Sequence, residues 1–505
     1  LACAQSSANH FILSVDVGTT SVRCHVYDKH ANIRGSCTRK VPLLYPERGW
    51  VEMDPEDLWQ SFISVVKGAV HDSGLQMSQM EALGISTQRA TFTTWHRKTG
   101  KPFHNLIGWQ DLRTAEMAKS WNNSYTMKVR SHTCMLHFLS RWKRFLAASL
   151  VVFMPQHVSM RLAWALQHIP QLKQAVDEGT CCFGTIDTWL LYKLTKGKNT
   201  KMRVLPTLSG FLCSLLSLPL SILPTVHNTR YNMFKRCFMA DQQAAMFGEC
   251  CFDTGDVKIT MGTGTFMDIN TGNKPHTSVA GLYPLVGWKM GSDVVYLAEG
   301  NAADTGTAIR WAQEIELFTD VNETSAMASS VSDSDGVCFV PSFSGLQVPL
   351  NDPKACAAFM GLKPSTTKSH LVRAILESIA FRNKQLFDVM LREIRIPITK
   401  IRADGGVCVN DFIMQLSADL LGRKISRPTH FDMSCLGAAF VAGLGVGYWK
   451  SKEELKKLQM TERLFLPQNV KGDTGGGGGG GVYKLVLQSW EQALQRSMHW
   501  YSHTS

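Results

Sequence analysis

A strand, a short polar turn and a returning strand occur twice along this chain. Residues 11–17 read FILSVDV, the turn GTTS follows, and residues 22–27 (VRCHVY) are again rich in β-forming side chains. The same order recurs at residues 257–270 (VKITMGTGTFMDIN), where the turn reads GTGT. Small residues in both turns would let backbone N–H groups approach an anionic phosphate closely. The sequence therefore predicts a duplicated unit with a phosphate-binding turn in each copy.

Strands and helices alternate beyond the two hairpins. Asp54 can cap a helix over residues 54–70, and Pro55 suits its first helical position. Further strands are predicted at residues 83–86 and 398–403, and further helices at residues 113–122, 160–168 and 187–194 and after Gln242, His370 and Asp411. This alternation indicates α/β layers. A chain of 505 residues, 44% of them hydrophobic, is long enough for two or three packed cores.

The net charge of +12 would suit a polyanionic partner, but Lys and Arg are scattered along the chain. Residues 128–145 are the densest basic and aromatic stretch, which fits a nucleic-acid or membrane contact or, more commonly, a solvated helix face. We predict no nucleic-acid partner.

Residues 204–226 carry no charge and could cross a bilayer, although their prolines favour a buried helix and loop. We therefore predict no stable membrane insertion.

The fourteen cysteines form no C-x-x-C pair and no Cys/His spacing typical of zinc sites. They fit small buried apolar residues in a reducing compartment. The first ten residues lack the apolar core of an export signal, so a cytoplasmic location is expected. Residues 475–481 form a flexible glycine run, and the amphipathic residues 484–500 beyond it predict a terminal helix packed on the body of the protein.

The first turn gathers an acid, hydroxyl groups and a cation. Asp16 supplies a carboxylate for magnesium, and Arg23 supplies a positive charge. Hydroxyl and N–H groups for phosphate oxygens come from Thr19, Thr20 and Ser21. An ordinary β-hairpin with a polar turn would explain the same residues. The first turn alone leaves both interpretations open.

Two later turns also carry glycine. Residues 262–265 repeat the small residues and hydroxyl groups of the first turn, and two such turns could hold a triphosphate between two domains. The sequence DGG at residues 404–406 follows a predicted strand, and its glycines would let an adenine ring lie against the backbone. A DGG sequence alone is only a turn in most proteins.

Asp241 precedes a helical run, AAMFGECC, which gives it two interpretations. It could cap the helix by accepting free backbone N–H groups. It could also be a general base, because a carboxylate kept ionised by a helix N-terminus can accept the proton of an attacking hydroxyl. In the second case Gln242 would orient that hydroxyl.

These segments resemble the FGGY family of carbohydrate kinases, and within it the glycerol kinases. The segments that carry the resemblance occur in the family's order and read DVGTTS, ERGWVEMDPEDLW, STQRAT, GWQDLR, FGTIDTWLLYKLTKG, ADQQAAMFG, MGTGTF, FSGLQVPLNDPKACAAFMGL, HLVRAILESIA and RADGGVCVNDF. The resemblance implies an α/β, two-domain actin-like ATPase (ribonuclease H-like) fold with a nucleotide and substrate cleft between the domains. It places an N-terminal FGGY domain at residues 11–249, a C-terminal one at 256–450 and an extension at 451–505.

The resemblance also implies a reaction and its residues. The reaction is phosphorylation of glycerol by ATP with Mg²⁺, and Asp241 is the general base. Residues implied to contact the nucleotide are Thr19, Thr20, Ser21, Arg23, Thr263, Gly306, Gly406 and Asn410, with Asp16 near the metal. Residues implied to contact the polyol are Arg89, Trp109, Asp241, Gln242 and Phe266. The family further implies a homo-oligomer.

Two positions of the implied polyol site depart from the family's glycerol kinases. Ala90 stands where they carry the glutamate of N-Q-R-E-T, and Gln156 stands where they carry the tyrosine of D-P-Y. Loss of a charged hydrogen bond to substrate costs about 1.5–3 kcal/mol. The alternatives are therefore a kinase for another small polyol or sugar, or a nucleotide-binding pseudokinase that acts as a scaffold.

The stretch at residues 199–239 is shorter than in the family. Lys235 and Arg236 fall in the strand expected to lead to Asp241. Charged residues there would either pay a burial cost or lose strand pairing, and the base would then be misplaced.

Overall fold

The computed structural model describes residues 10–125, 138, 153–197, 235–276, 278, 280–468 and 480–501. Two compact units are present, one of residues 1–248 and 434–458 and the other of residues 249–433 and 459–505. Compactness thus assigns the segment 434–458 to the first unit, whereas the predicted C-terminal family domain runs to residue 450. The family-domain boundaries at 11–249, 256–450 and 451–505 stay a prediction.

The central sheet of the first unit has five strands. These are β1 (Phe11–Val17), β2 (Ser21–Tyr27), β3 (Ile33–Lys40), β5 (Met80–Thr87) and β9 (Lys235–Ala240), in the order β3-β2-β1-β5-β9. β1 pairs antiparallel with β2 and parallel with β5. Its apolar residues are buried because a central strand is covered on both faces.

A smaller sheet in the first unit consists of β4 (Glu52–Met53), β6 (Phe92–His96), β7 (Leu106–Ile107) and β8 (Cys181–Thr185), in the order β4-β7-β6-β8. The helices of this unit are α1 (Pro55–Asp72), α2 (Ala115–Asn122), α3 (Val158–His168), α4 (Pro170–Asp177), α5 (Ile186–Thr195), α6 (Asp241–Gly248), α11 (Met433–Val446) and α12 (Lys452–Leu458). The predicted cap of α1 is confirmed, because Asp54 accepts the N–H groups of Glu56 and Asp57 at 2.7 and 2.9 Å.

The second unit is built on a seven-stranded sheet. Its strands are β10 (Asp256–Met261), β11 (Thr265–Gly272), β12 (Tyr283–Met290), β13 (Asp293–Ala302), β16 (Lys400–Asp404), β17 (Ile425–Pro428) and β18 (Thr461–Phe465), in the order β12-β13-β11-β10-β16-β17-β18. β14 (Cys338–Val340) and β15 (Ala358–Met360) form a separate pair. The helices are α7 (Thr305–Glu314), α8 (Thr324–Ser329), α9 (Lys368–Glu393), α10 (Asp411–Leu421) and α13 (Gly480–Ser497).

The two central sheets repeat one topology. β10 pairs antiparallel with β11 and parallel with β16, just as β1 pairs antiparallel with β2 and parallel with β5. In each unit the predicted phosphate turn joins the two antiparallel strands. The predicted duplicated unit and the α/β fold class are therefore confirmed.

β9 forms despite its two basic residues. Its backbone pairs in parallel with β5 along its whole length, from Lys235 opposite Ala82 to Ala240 opposite Thr87. Of the two alternatives predicted for these residues, a burial cost or a loss of strand pairing, the loss of pairing does not occur, since a parallel ladder uses backbone groups and is independent of side-chain charge. The chain consequently reaches Asp241 from a regular strand.

The terminal helix α13 packs on the second unit as predicted. Trp490 is fully buried, donates from Nε1 to the carbonyl of Phe339 at 2.8 Å and lies 5.3 Å from the Phe381 ring. The cysteines among the described residues are free, and all but Cys37 are buried. No helix within the described ranges is both long and apolar enough to cross a bilayer, and residues 204–226 lie outside those ranges.

Candidate active site

The first phosphate turn is closed by its own backbone. The N–H of Gly18 donates to the carbonyl of Ser21 at 2.9 Å. Thr20 is exposed at the end of the turn. Arg23 follows on β2, where its Nε donates to Thr38 Oγ1 at 3.2 Å. The turn therefore presents hydroxyl groups beside a guanidinium, which suits a phosphate.

Asp16 is the last polar residue of β1 before the turn. Its Oδ1 is buried and has no hydrogen-bond partner within the described part of the chain. Burial raises the pKa of Asp16 to about 6 and the charge of Asp241 adds to the rise, whereas the hydroxyls of Ser86 and Ser434 and the charge of Arg23 oppose it. A buried carboxylate oxygen without a partner suits a divalent cation.

The donor set fits Mg²⁺ better than a metal held by protein ligands alone. Among the described residues, no group of three or more His, Cys, Asp or Glu side chains could hold a metal. Mg²⁺ usually takes one or two carboxylates and completes its shell with water and phosphate oxygens. Asp16 beside a phosphate turn meets that need.

Asp241 is the first residue of α6, directly after β9. Its Oδ1 accepts the N–H of Gln242 at 2.7 Å. Arg89 Nε lies 3.7 Å from the same oxygen, and the Asp241 side chain is 27% exposed. The helix N-terminus and the guanidinium both stabilise a carboxylate here. Asp241 therefore contacts the helix N-terminus and is also accessible, as a general base must be.

A chain of hydrogen bonds joins the first turn to Trp109. Trp109 donates from Nε1 to Thr19 Oγ1 at 3.0 Å and from its backbone N–H to Thr91 Oγ1 at 3.1 Å. Thr91 donates to Gln88 Oε1 at 3.0 Å, and Gln88 Nε2 donates to the carbonyl of Gly18 at 3.0 Å. The structure thus brings a predicted phosphate residue into contact with a predicted polyol residue.

Sequence reasoning missed Gln88. The residue is 2% exposed and lies at the centre of this chain of hydrogen bonds. It stands within STQRAT, one residue before Arg89, but a single glutamine carries no recognisable spacing. The parallel pairing of β1 with β5 places Thr87 opposite Val17 and so brings Gln88 to the turn.

A buried ion cluster was also missed. Arg113 binds Asp111 Oδ1 at 2.8 Å and Glu52 Oε1 at 2.7 Å, and its guanidinium lies 4.0 Å from the Trp50 ring. Asp111 Oδ2 also accepts the N–H of Val51 at 2.7 Å. These residues belong to the segments ERGWVEMDPEDLW and GWQDLR, and the cluster fixes the chain on the C-terminal side of Trp109.

The second phosphate turn packs against Gly306. The N–H of Gly306 donates to the carbonyls of Gly262 and Thr263 at 3.1 and 2.9 Å. A Cβ at residue 306 would lie 2.5 Å from the Gly262 carbonyl oxygen, so a side chain would displace the turn. The predicted nucleotide residues Thr263 and Gly306 are therefore neighbours.

The glycines of the DGG sequence differ in what surrounds them. Gly405 has a φ of 89°, and a Cβ there would lie 2.5 Å from the Met261 carbonyl oxygen. A Cβ at Gly406 would meet open space, which leaves room for a ligand beside the backbone. Asn410 caps α10 by accepting the N–H of Ile413 at 3.1 Å.

Buried charges lie beneath the DGG sequence. Lys258 Nζ lies 3.0 Å from Asp268 Oδ2, and both side chains are fully buried. Thr260 donates to Asp404 at 2.5 Å. Burial raises the pKa of Asp404 to about 6 and that of Glu249 to about 8. The bond from Thr260 to Asp404 joins β10 to β16 next to Gly405 and Gly406, and the pair of Lys258 with Asp268 joins β10 to β11.

The predicted site residues fall in two sets. The first unit carries Asp16, Thr19, Thr20, Ser21, Arg23, Arg89, Trp109, Asp241 and Gln242, and the second carries Thr263, Phe266, Gly306, Gly406 and Asn410. Phe266 lies on β11, beside the second turn. Its contact with the polyol and the cleft between the domains stay predictions.

Duplicated α/β units of the actin-like ATPase type, with phosphate turns and a helix-terminal carboxylate, define a class of phosphotransferases. Within this class the chain belongs to the FGGY family of carbohydrate kinases, whose N-terminal domain matches residues 11–203 and whose C-terminal domain matches residues 257–446.

Similar proteins include Glycerol kinase 5 of Danio rerio, 72% identical over 98% of both chains. Glycerol kinase 5 of Homo sapiens is 56% identical over 98% of this chain and 96% of its own. Among solved structures, Plasmodium falciparum glycerol kinase with ADP superposes with a TM-score of 0.76 at 27% identity, covering 97% of this chain and 98% of that one.

Proposed function

We propose that this protein phosphorylates glycerol to glycerol 3-phosphate at the expense of ATP. The observation that carries the proposal is the arrangement of the first unit, where an accessible carboxylate, Asp241, lies beside Arg89, and Trp109 contacts the phosphate turn through Thr19. These contacts bring together residues predicted as the base, as polyol contacts and as the phosphate turn, which supports the proposal. The relatives named glycerol kinase support glycerol as the acceptor.

Asp241 accepts the proton of a terminal hydroxyl group. The hydroxyl oxygen then attacks the γ-phosphorus in line, the bond between that phosphorus and the bridging oxygen breaks, and ADP leaves. Arg89 and Gln242 hydrogen-bond the other hydroxyl groups, and the Trp109 face covers the carbon chain. Proton acceptance at a positioned carboxylate is worth about 10²–10⁴ in rate.

The phosphates are held by hydroxyl and backbone N–H groups. Thr19, Thr20 and Ser21, with Arg23, would bind phosphate oxygens through the first turn. Thr263, Gly306, Gly406 and Asn410 would contact the nucleotide from the second unit. Mg²⁺ would offset phosphate charge, and Asp16 would hold it. The cytoplasmic location and a homo-oligomeric state are parts of the proposal that rest on the family resemblance.

A second candidate function is the phosphorylation of another small polyol or sugar. Ala90 offers no carboxylate to the acceptor, and Gln156 offers an amide in place of a phenol. Loss of a charged hydrogen bond weakens binding of that acceptor about tenfold to a hundredfold. The reaction and the base would be unchanged, and only the acceptor would differ.

The test is Mg²⁺- and ATP-dependent phosphorylation across a panel of three- to six-carbon polyols, with ATP binding measured in parallel. Highest kcat/KM with glycerol is the expected result. Higher kcat/KM with another acceptor would move the substrate to the second candidate. ATP binding without transfer to any acceptor would contradict both candidates and favour a scaffold role.

A further inference from the structure

Arg161 is a fully buried cation on α3 that belongs to none of the motifs above. Its guanidinium binds four backbone carbonyls. Nη1 donates to the carbonyls of Ile107 at 3.2 Å and Gly108 at 2.5 Å. Nη2 donates to Ala90 at 3.0 Å and Gln156 at 2.6 Å. One side chain thus joins three separate segments of the first unit.

Each of these segments borders a residue of the proposed polyol site. Ala90 follows Arg89, and Gly108 precedes Trp109. Ala90 and Gln156 are also the two positions at which the chain departs from the family's glycerol kinases. The guanidinium therefore fixes the backbone at both altered positions and next to both polyol-binding side chains.

The backbone that Arg161 holds is strained at one point. Ala90 has a φ of 62°, in the left-handed region that non-glycine residues rarely adopt. Such a conformation persists only where surrounding contacts determine it. The bond from Nη2 to the Ala90 carbonyl is a contact of this kind, and it stands one residue from Arg89.

The side chain at residue 161 has to be an arginine to make these four bonds. Within the described residues, the hydrogen bonds of Arg161 go to carbonyls, and burial lowers the pKa of Arg161 to about 10. Burial of a cation is unfavourable unless its donors are satisfied; the four carbonyls satisfy Nη1 and Nη2, whereas the buried Nε has no hydrogen-bond partner within the described part of the chain. A lysine has one nitrogen and cannot reach four carbonyls in a planar fork.

We propose that Arg161 is the positioning residue that sets the affinity and selectivity of the enzyme for its polyol. It does so by fixing the backbone next to Arg89 and Trp109 and at Gln156, without touching the substrate. The inference rests on the proposed function, because that function places Arg89 and Trp109 against the polyol.

The test compares Arg161→Lys and Arg161→Met with the wild-type protein in steady-state kinetics. KM for the preferred polyol should rise about tenfold or more, while KM for ATP stays within about twofold. The ratio of kcat/KM for the preferred polyol to kcat/KM for the other polyols of the panel should become smaller in the same variants. A merely structural role would lower the active fraction and leave both KM values unchanged.

Arg373→Lys is the matched control, since Arg373 also donates from a guanidinium to two carbonyls, those of Ala328 and Val331, but lies in the second unit. It should leave KM for the polyol unchanged.

The outcomes are distinct. An unchanged KM for the polyol in Arg161→Lys and Arg161→Met would overturn the inference while leaving the proposed function intact. An equal rise in KM for ATP and for the polyol would also overturn it. Wild-type protein that phosphorylates no polyol would instead remove the proposed function, and the inference with it.

Discussion

Asp16 shows how one buried side chain can oppose stability and serve binding. Its pKa is raised to about 6 from an ordinary value of 3.8, mainly by burial, so the folded protein binds the proton more tightly than the unfolded chain does. The stability penalty is therefore small below the unfolded pKa, grows as pH rises through the folded pKa and is complete above it. A carboxylate retained at such a cost suits a metal-binding role.

Asp16→Asn should raise the free energy of unfolding at pH 8 by about 1–3 kcal/mol, with a difference that shrinks towards pH 4. Denaturant unfolding across this pH range measures the difference. The same variant should lose Mg²⁺-dependent activity. A variant that is less stable than wild type at pH 8 would contradict the account of Asp16.

Gln88 tests whether the hydrogen-bond chain matters. Gln88→Met keeps the volume but leaves the carbonyl of Gly18 and the hydroxyl of Thr91 without this partner, which should lower the free energy of unfolding by about 1–3 kcal/mol. It should also lower kcat/KM, because Thr19 and Trp109 lose their common support. Gln60→Met, at an exposed bond to Glu56, is the control and should change stability by less than about 0.5 kcal/mol. Equal effects of the two substitutions would argue against a special role for Gln88.

At the scale of elements, the two glycines of the DGG turn after β16 allow stability and nucleotide binding to be tested separately. Gly406→Val adds a side chain in open space, so it should leave stability nearly unchanged and raise KM for ATP about tenfold or more. Gly405→Val should instead destabilise the fold, because residue 405 has a positive φ and its Cβ would collide with the Met261 carbonyl. Thermal unfolding with ATP titration distinguishes the two. Unchanged ATP affinity in Gly406→Val would place the nucleotide elsewhere.

The sequence predicted the elements well where local physics decides them. Asp54 and Pro55 mark the start of α1, and apolar runs beside small polar turns mark β1, β2, β10 and β11. The strand β9 shows the limit of this reasoning. The basic residues Lys235 and Arg236 left open whether the strand would lose its pairing. The backbone groups of β5 nevertheless pair with β9 along its whole length, because backbone hydrogen bonds do not depend on the side chains.

For the whole molecule, the topology could be predicted from the sequence and candidate site residues could be named, but the residues that hold those candidates in place could not. Asp16, Asp241 and the two turns stand out because their residue types and spacing carry chemistry. Gln88 and Arg161 do not, since the bonds that tie them to the site, from Gln88 to the Gly18 carbonyl and from Arg161 to the Ala90 carbonyl, reach backbone groups far away along the chain. Hydrogen bonds to backbone carbonyls leave no pattern in a sequence.

The central claim is that Asp241 is the general base of a glycerol kinase. The most direct measurement is the rate of glycerol 3-phosphate formation by Asp241→Asn, with ATP binding measured on the same protein and with Asp57→Asn, an exposed carboxylate on α1, as control. The account predicts a loss of about 10²–10⁴ in kcat with ATP affinity retained, and no loss in the control. Wild-type turnover in Asp241→Asn would contradict it.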